Sequence, residues 1–198
     1  LLTAVSCLAS GKTILDGSKR LRERPVGPLI SALKLWGAKV KDKGGFPPVE
    51  VLGGTVEGGK TKVDASLSSQ FISALLLLGP YTQSGGRIKV VGRAVSRPYV
   101  DLTIEVMEAF GISVKVERDT YRVPKGTYQG TDYAVPPDPS SATYPLMAGA
   151  LMGIRVKVLG LSARGNHPDL GFLRLLEAMG AEVKIDSDGV SVRGGDLK

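Results

Sequence analysis

PLISALKLWGAKV (Pro28–Val40), DLTIEVMEAFGISV (Asp101–Val114) and DLGFLRLLEAMGAEV (Asp169–Val183) are three versions of one passage. Each reads as an amphipathic helix that leaves through glycine, passes Ala or Ile, and ends on Val. The exit glycines Gly37, Gly111 and Gly180 stand 74 and 69 residues apart. Gly17, Gly92 and Gly160, each closing a short strand ahead of such a helix, stand 75 and 68 apart. Two independent sets of landmarks therefore give one period of about 70 residues, the signature of a repeated structural unit.

Working outward, copies one and two continue through a strand (Val49–Leu52; Tyr121–Val123), a Gly-rich turn and a further extended stretch. Each then reaches a serine pair, Ser68-Ser69 or Ser140-Ser141, that opens an apolar helix. Copy three stops at Val190–Gly195, and Leu1 falls inside an apolar helix that ought to follow such a pair. The repeat thus predicts a chain that opens and closes in mid-unit, a piece of a larger protein.

The element signals agree with one grammar. Gln70–Leu78 reads as a buried helix capped by Ser68 and Ser69 and stopped by Gly79-Pro80. Arg87–Val91 alternates as a strand. Pro98 suits the first turn of the next helix, whose core face is predicted as Leu102, Val106, Met107 and Phe110. Ser140–Met152 and Arg155–Leu159 repeat the capped helix and the strand. The result is an α/β chain of β-α-β-α-β-β units, with two helices on one face of a small mixed sheet and partial units at both ends. Tyr133–Pro139 holds three prolines in four positions and is a stiff crossover. It places a boundary between residues 1–136 and 137–198.

Composition narrows the function. Lys and Arg number 26 against 19 Asp and Glu, a formal charge of +7. That balance admits anionic partners and equally an ordinary basic surface. The single cysteine, Cys7, lies in an apolar run and reads as a buried thiol; the single histidine, His167, reads as a surface loop residue. An intramolecular disulfide and a multi-cysteine metal site are excluded, and the one loop histidine argues against a triad or a His-rich metal site. No apolar run reaches the ~20 residues of a membrane span, and the first residues carry no secretory signal.

The chemistry sits in three equivalent loops, SKRLRERP (18–25), GRAVSRPY (92–99) and SARGNHPD (162–169). Arg24 precedes Pro25 at a helix start, where a cation opposes the helix dipole unless an anion is bound between them. Its planar fork suits phosphate or carboxylate, although a solvated basic loop explains it as well. For Lys19, Arg20 and Arg22 the solvated loop is preferred. Ser68, Ser69 and Gln70 bring two hydroxyls and an amide to one helix start, and Ser96 and Tyr99 flank another. Plain capping accounts for each singly; their recurrence suggests one shared anion pocket.

The strings RERPVGPLISAL (22–33), SLSSQFISALLLLGP (66–80) and VSRPYVDLTIEVMEAFG (95–111) resemble the 5-enolpyruvylshikimate-3-phosphate synthase (3-phosphoshikimate 1-carboxyvinyltransferase) family. DPSSATYPLMAGALMGIRVKVLGL (138–161) and LLEAMGAEV (175–183) resemble the same family, so the likeness runs through essentially the whole chain. It implies a two-domain fold, each domain built of three such units about a pseudo-threefold axis. It also implies a cytoplasmic transferase of aromatic amino-acid biosynthesis that joins phosphoenolpyruvate to shikimate 3-phosphate without a metal or organic cofactor. By position, Ser68, Ser69 and Ser96 match serines that hold the shikimate phosphate. Gln70 matches a glutamine between the two substrates, Tyr99 a tyrosine beside the shikimate ring, and Arg24 an arginine gripping phosphoenolpyruvate. The family's acid-base Lys-Glu-Thr-Asp-Arg motif and its Asn-Ala-Gly-Thr stretch have no counterpart here, so a central, inactive portion of the enzyme is expected, with possible self-association. The alternative is a basic nucleic-acid-binding module related to RNA 3′-phosphate cyclase, against which stand the few aromatics.

Overall fold

The computed structural model describes residues 1–92, 95–163 and 167–195, and divides into two compact units, Leu1–Thr131 and Asp132–Lys198. Each has its own core. The first unit runs α1 (Leu2–Val5), β1 (Gly11–Leu15), α2 (Lys19–Arg22), α3 (Gly27–Leu35), β2 (Lys39–Lys43) and β3 (Phe46–Gly53). It continues through β4 (Gly59–Asp64), α4 (Gln70–Leu78), β5 (Gly86–Val91), α5 (Arg97–Ala109), β6 (Lys115–Glu117) and β7 (Thr120–Val123). The second unit holds α6 (Pro139–Met152), β8 (Val156–Leu159), α7 (Gly171–Ala178), β9 (Glu182–Asp186) and β10 (Gly189–Arg193).

The middle copy is a whole β-α-β-α-β-β unit. Its sheet is ordered β4-β5-β7-β6, with β4 and β5 parallel and the other pairings antiparallel. The flanking copies form three-stranded antiparallel sheets, β1-β3-β2 and β8-β10-β9. Residues 124–138, where the third copy's leading strand would fall, carry neither helix nor strand. Among the described residues of the first unit no doubly wound sheet is present.

The repeat's glycine exit has a physical cause. Gly37, Gly111 and Gly180 all take positive φ, at 82°, 84° and 99°. In each copy the next residue's N–H reaches back five positions: Ala38 to Leu33, Ile112 to Met107 and Ala181 to Leu176, at 2.9–3.0 Å. This is the Schellman closure of a helix, and it needs a residue without Cβ at the left-handed position. Each helix is thereby turned straight into the following strand.

Three local expectations are corrected. The buried face of α5 is Val100, Ile104 and Met107, rotated from the predicted stripe; of that stripe only Met107 is fully buried. Helix α6 is capped by Asp138, which accepts from the N–H groups of Ser140 and Ser141, not by the serine pair itself. SKRLRERP contains a helical turn, α2, because Ser18 accepts from the Leu21 N–H and caps it.

Helix α4 is apolar on every side and is packed by α1, α3 and α5. Its counterpart α6 is covered on one side: Leu146 is 1% exposed while Tyr144 and Leu151 are 74% and 69% exposed. Trp36 is a main link from the first copy to the second, beside the Thr61 hydroxyl, which donates to the Ala32 carbonyl at 2.9 Å. Trp36, fully buried, donates its indole N–H to the Gly59 carbonyl at 2.9 Å. Its own carbonyl accepts from Glu57 and Gly58, and its ring lies where a Cβ on Gly86 would stand, 2.7 Å away.

Trp36→Ala is expected to destabilise the first unit by ~3–5 kcal/mol, read from denaturant unfolding by circular dichroism. Trp36→Phe keeps most of the volume but strands the Gly59 carbonyl, and should cost about 1–3 kcal/mol. In the second unit, hydrogen bonds from the Ser141 hydroxyl and the two N–H groups hold the Asp138 carboxyl below its ordinary 3.8. A depressed folded value means this cap's contribution is present above 3.8 and disappears as pH falls through the lowered value. Asp138→Asn, a good uncharged cap, should remove that part of the acid dependence of helix content.

Candidate functional site

Parallel pairing places the candidate residues at one end of the middle sheet. β4 and β5 run side by side in register from Gly59–Gly86 to Asp64–Val91, so both chains leave the sheet at the same edge and enter helices there. Crevices beyond the carboxyl ends of parallel strands are where α/β folds bind ligands. The two loops are tied together: Ala65 N–H donates to the Val91 carbonyl and Val95 N–H to the Ala65 carbonyl, each at 3.3 Å. Deeper in, the Ser73 and Thr103 hydroxyls meet at 2.8 Å, joining α4 to α5.

At the α4 entrance Ser68 Oγ accepts from the Gln70 N–H at 3.2 Å. The Ser69 side chain makes no cap and is buried at 5% exposure. At the α5 entrance Ser96 adopts the left-handed conformation, φ 53° and ψ 44°, unusual for a residue with a Cβ. Held strain of this kind concentrates at functional sites. Tyr99 follows one turn into the helix, 38% exposed.

A cavity of about 590 Å³ in the first unit gathers Arg24, Ser68 and Gln70, together with Asp16 and the apolar wall of Leu15, Val49 and Phe71. Ser69, Ser96 and Tyr99 do not line it. The charges at this cavity are sorted by α2. Arg22 grips Asp16 with two hydrogen bonds, at 2.7 and 2.5 Å, and holds its carboxyl below the ordinary range. Among the described residues no carboxylate pairs with Arg24. The cavity therefore presents one uncompensated guanidinium beside a hydroxyl and an amide, an arrangement suited to a small anion.

The sequence missed the Asp16–Arg22 lock. The available signal was Ser18, a helix cap just ahead of Lys19–Arg22, which folds the loop back so that Arg22 meets Asp16. Arg22 stays exposed, as expected of the loop, but is paired with Asp16. Cys7 is buried, its thiol pushed up to about 11 by desolvation. His167 accepts from the Asp169 N–H and caps a short turn. Arg93, Ala94 and Arg164–Asn166 of the equivalent loops lie outside the described residues. Among the described residues no cluster of three or more His, Cys, Asp or Glu side chains could hold a metal ion. No helix there is long and apolar enough to cross a membrane.

The class follows from fold comparison. The chain superposes with a TM-score of 0.74 on EPSP synthase from Acinetobacter baumannii, at 24% identity, covering 100% of this chain and 47% of that one. The enolpyruvyl transferase NikO from Streptomyces tendae gives 0.69 at 17% identity over 93% of this chain and 44% of its own. These define an enolpyruvyl-transferase fold. The chain belongs to the EPSP synthase (3-phosphoshikimate 1-carboxyvinyltransferase) family, whose model matches residues 1–198. It is 39% identical to the 3-phosphoshikimate 1-carboxyvinyltransferase of Photobacterium profundum and 41% identical to that of Methanoculleus marisnigri, each over 100% of this chain. It spans about half the length of these curated relatives, 47% and 48%. The nucleic-acid-binding alternative is left without support.

Replacing Arg22 with Ala should release the Asp16 carboxyl upward toward its ordinary 3.8, followed by carboxyl-carbon NMR across an acid titration. The same change should weaken anion binding at the cavity, because a bare carboxylate then faces Arg24.

Proposed function

We propose that this chain supplies the shikimate 3-phosphate-binding portion of a cytoplasmic 3-phosphoshikimate 1-carboxyvinyltransferase. The observation that carries the proposal is the meeting of Arg24, Ser68 and Gln70 on one cavity in which, among the described residues, Arg24 has no carboxylate partner. On this reading Ser68, Ser69 and Ser96 hold the phosphate of shikimate 3-phosphate. Tyr99 packs beside its ring, Gln70 lies between the two substrates, and Arg24 takes phosphoenolpyruvate. Ser69, Ser96 and Tyr99 stand outside the cavity, so their part requires the α4 and α5 entrances to face a common ligand.

The reaction is enolpyruvyl transfer. The CH2 carbon of phosphoenolpyruvate takes up a proton while the 5-hydroxyl of shikimate 3-phosphate attacks the adjacent carbon and gives up its own. Loss of a proton from the resulting methyl group and departure of phosphate restore the double bond on the new ether. The named residues hold two anions in contact and neutralise their repulsion, supplying proximity and electrostatic stabilisation.

Titration of the 198-residue chain with shikimate 3-phosphate, followed by amide NMR, tests binding separately from turnover. Shifts are expected at Ser68, Ser69 and Ser96 with an affinity in the millimolar range or weaker, and no phosphate release with both substrates. Ser69→Ala should weaken binding about 10-fold or more, the loss of a hydrogen bond to a charged group at ~1.5–3 kcal/mol. Absence of shifts at these serines with millimolar ligand would end the proposal.

A further inference from the structure

The three sheets carry different charge patterns on their open faces. In β1-β3-β2 the central-strand Glu50 bonds Lys12 at 2.8 Å and stands in register with Lys41. In β8-β10-β9 Lys157 lies between Asp186 and Asp188, at 3.1 and 2.7 Å, and Glu182 serves both Arg155 and Lys184. The β8-β10-β9 face balances its cations with carboxylates across the strands, whereas on the β1-β3-β2 face Lys39 and Lys41 share the one Glu50 with Lys12.

On the β4-β5-β7-β6 sheet the cations extend across every strand. Thr61, Val63, Ile88, Tyr121 and Val123 turn to the core, and the opposite face is exposed. On that face Lys60, Arg87, Arg122 and Lys115 stand in one register row across all four strands. Lys62 and Lys89 form a second like-charged pair beside it. Two carboxylates share the face: Glu117 pairs with Arg122 at 3.0 Å, and Asp64 accepts from the Ser66 N–H. Among the described residues the other five cations have no ion-pair partner. Like charges directly opposite one another destabilise a sheet, so this face carries a cost that a carboxylate-bearing partner would remove.

We propose that this open face docks an acidic α-helix of a partner protein, laid across the strands with one carboxylate per turn. Neighbouring strands are about 4.8 Å apart and helical turns repeat about every 5.4 Å. Four cations over three strand spacings therefore match about three helical turns, and long flexible side chains absorb the small mismatch. Sheets that read single-stranded nucleic acid present stacking aromatics on their central strands. The corresponding positions here are Arg87, Lys89 and Arg122.

The test uses the full chain and fluorescence anisotropy with a labelled, alanine-based helical peptide bearing four glutamates on one face, about one per turn. A composition-matched isomer spreads the same glutamates around the helix. At low salt the patterned peptide should bind at least about tenfold more tightly than the isomer. Lys60→Glu combined with Arg87→Glu should abolish that preference while leaving the thermal melt and shikimate 3-phosphate titration unchanged. If that pair fails to fold, Lys60→Gln with Arg87→Gln should reduce the preference by at least about threefold. Equal affinity for the two peptides overturns the proposal, as does indifference to these changes in folded protein. Tighter binding to oligouridine or to phosphatidylserine vesicles than to the patterned helix overturns it as well.

Discussion

Trp36 fixes where the second repeat begins. Its indole N–H holds the Gly59 carbonyl, its own carbonyl holds the N–H groups of Glu57 and Gly58, and its ring occupies the space above Gly86. Gly59 and Gly86 are the first register pair of the parallel strands. One buried side chain therefore anchors both strands at their starts. From that anchor the pleat runs six residues to Asp64 and Val91, and the entrances of the next two helices emerge together. Placement of Ser68, Gln70, Ser96 and Tyr99 at one edge rests on a tryptophan at the sheet's other end.

Charge is then sorted locally. The Asp16–Arg22 pair is exposed, where ion pairs contribute little to stability, and its consequence is electrostatic. It removes a carboxylate from competition for Arg24, leaving the cavity cationic. The open face of the middle sheet shows the opposite choice, a row of cations across four strands, where the β8-β10-β9 sheet sets carboxylates against its cations. The formal charge of +7 is thus distributed unevenly among otherwise similar units.

Comparison of the repeats shows how context overrides shared sequence. Helices α4 and α6 both follow a serine pair, yet Ser68 caps one and Asp138 the other. The carboxylate of Asp138 accepts from two N–H groups at once and outcompetes the neighbouring hydroxyls. Packing diverges as well: α4 is enclosed by helices of two copies, while α6 keeps Tyr144 and Leu151 exposed. An apolar helix reads the same in both cases, and only its neighbours decide whether it is core.

The sequence alone determined the period, the glycine exits, the element order of the middle copy and the family, because each rests on local geometry or contiguous strings. Gly37, Gly111 and Gly180 are legible since only glycine closes a helix cheaply at positive φ. Tertiary structure decided what depends on residues distant along the chain. The face of α5 turned to Val100, Ile104 and Met107 because the helix packs on α4, which a single-helix stripe of Leu102, Val106, Met107 and Phe110 does not register. The grouping of Arg24 with Ser68 and Gln70, the freeing of Arg24 by the Asp16–Arg22 lock, and the cation row across β4, β5, β7 and β6 all arise from contacts between separate elements. Strand register and helix packing set those contacts, and neither is written in any one stretch of the chain.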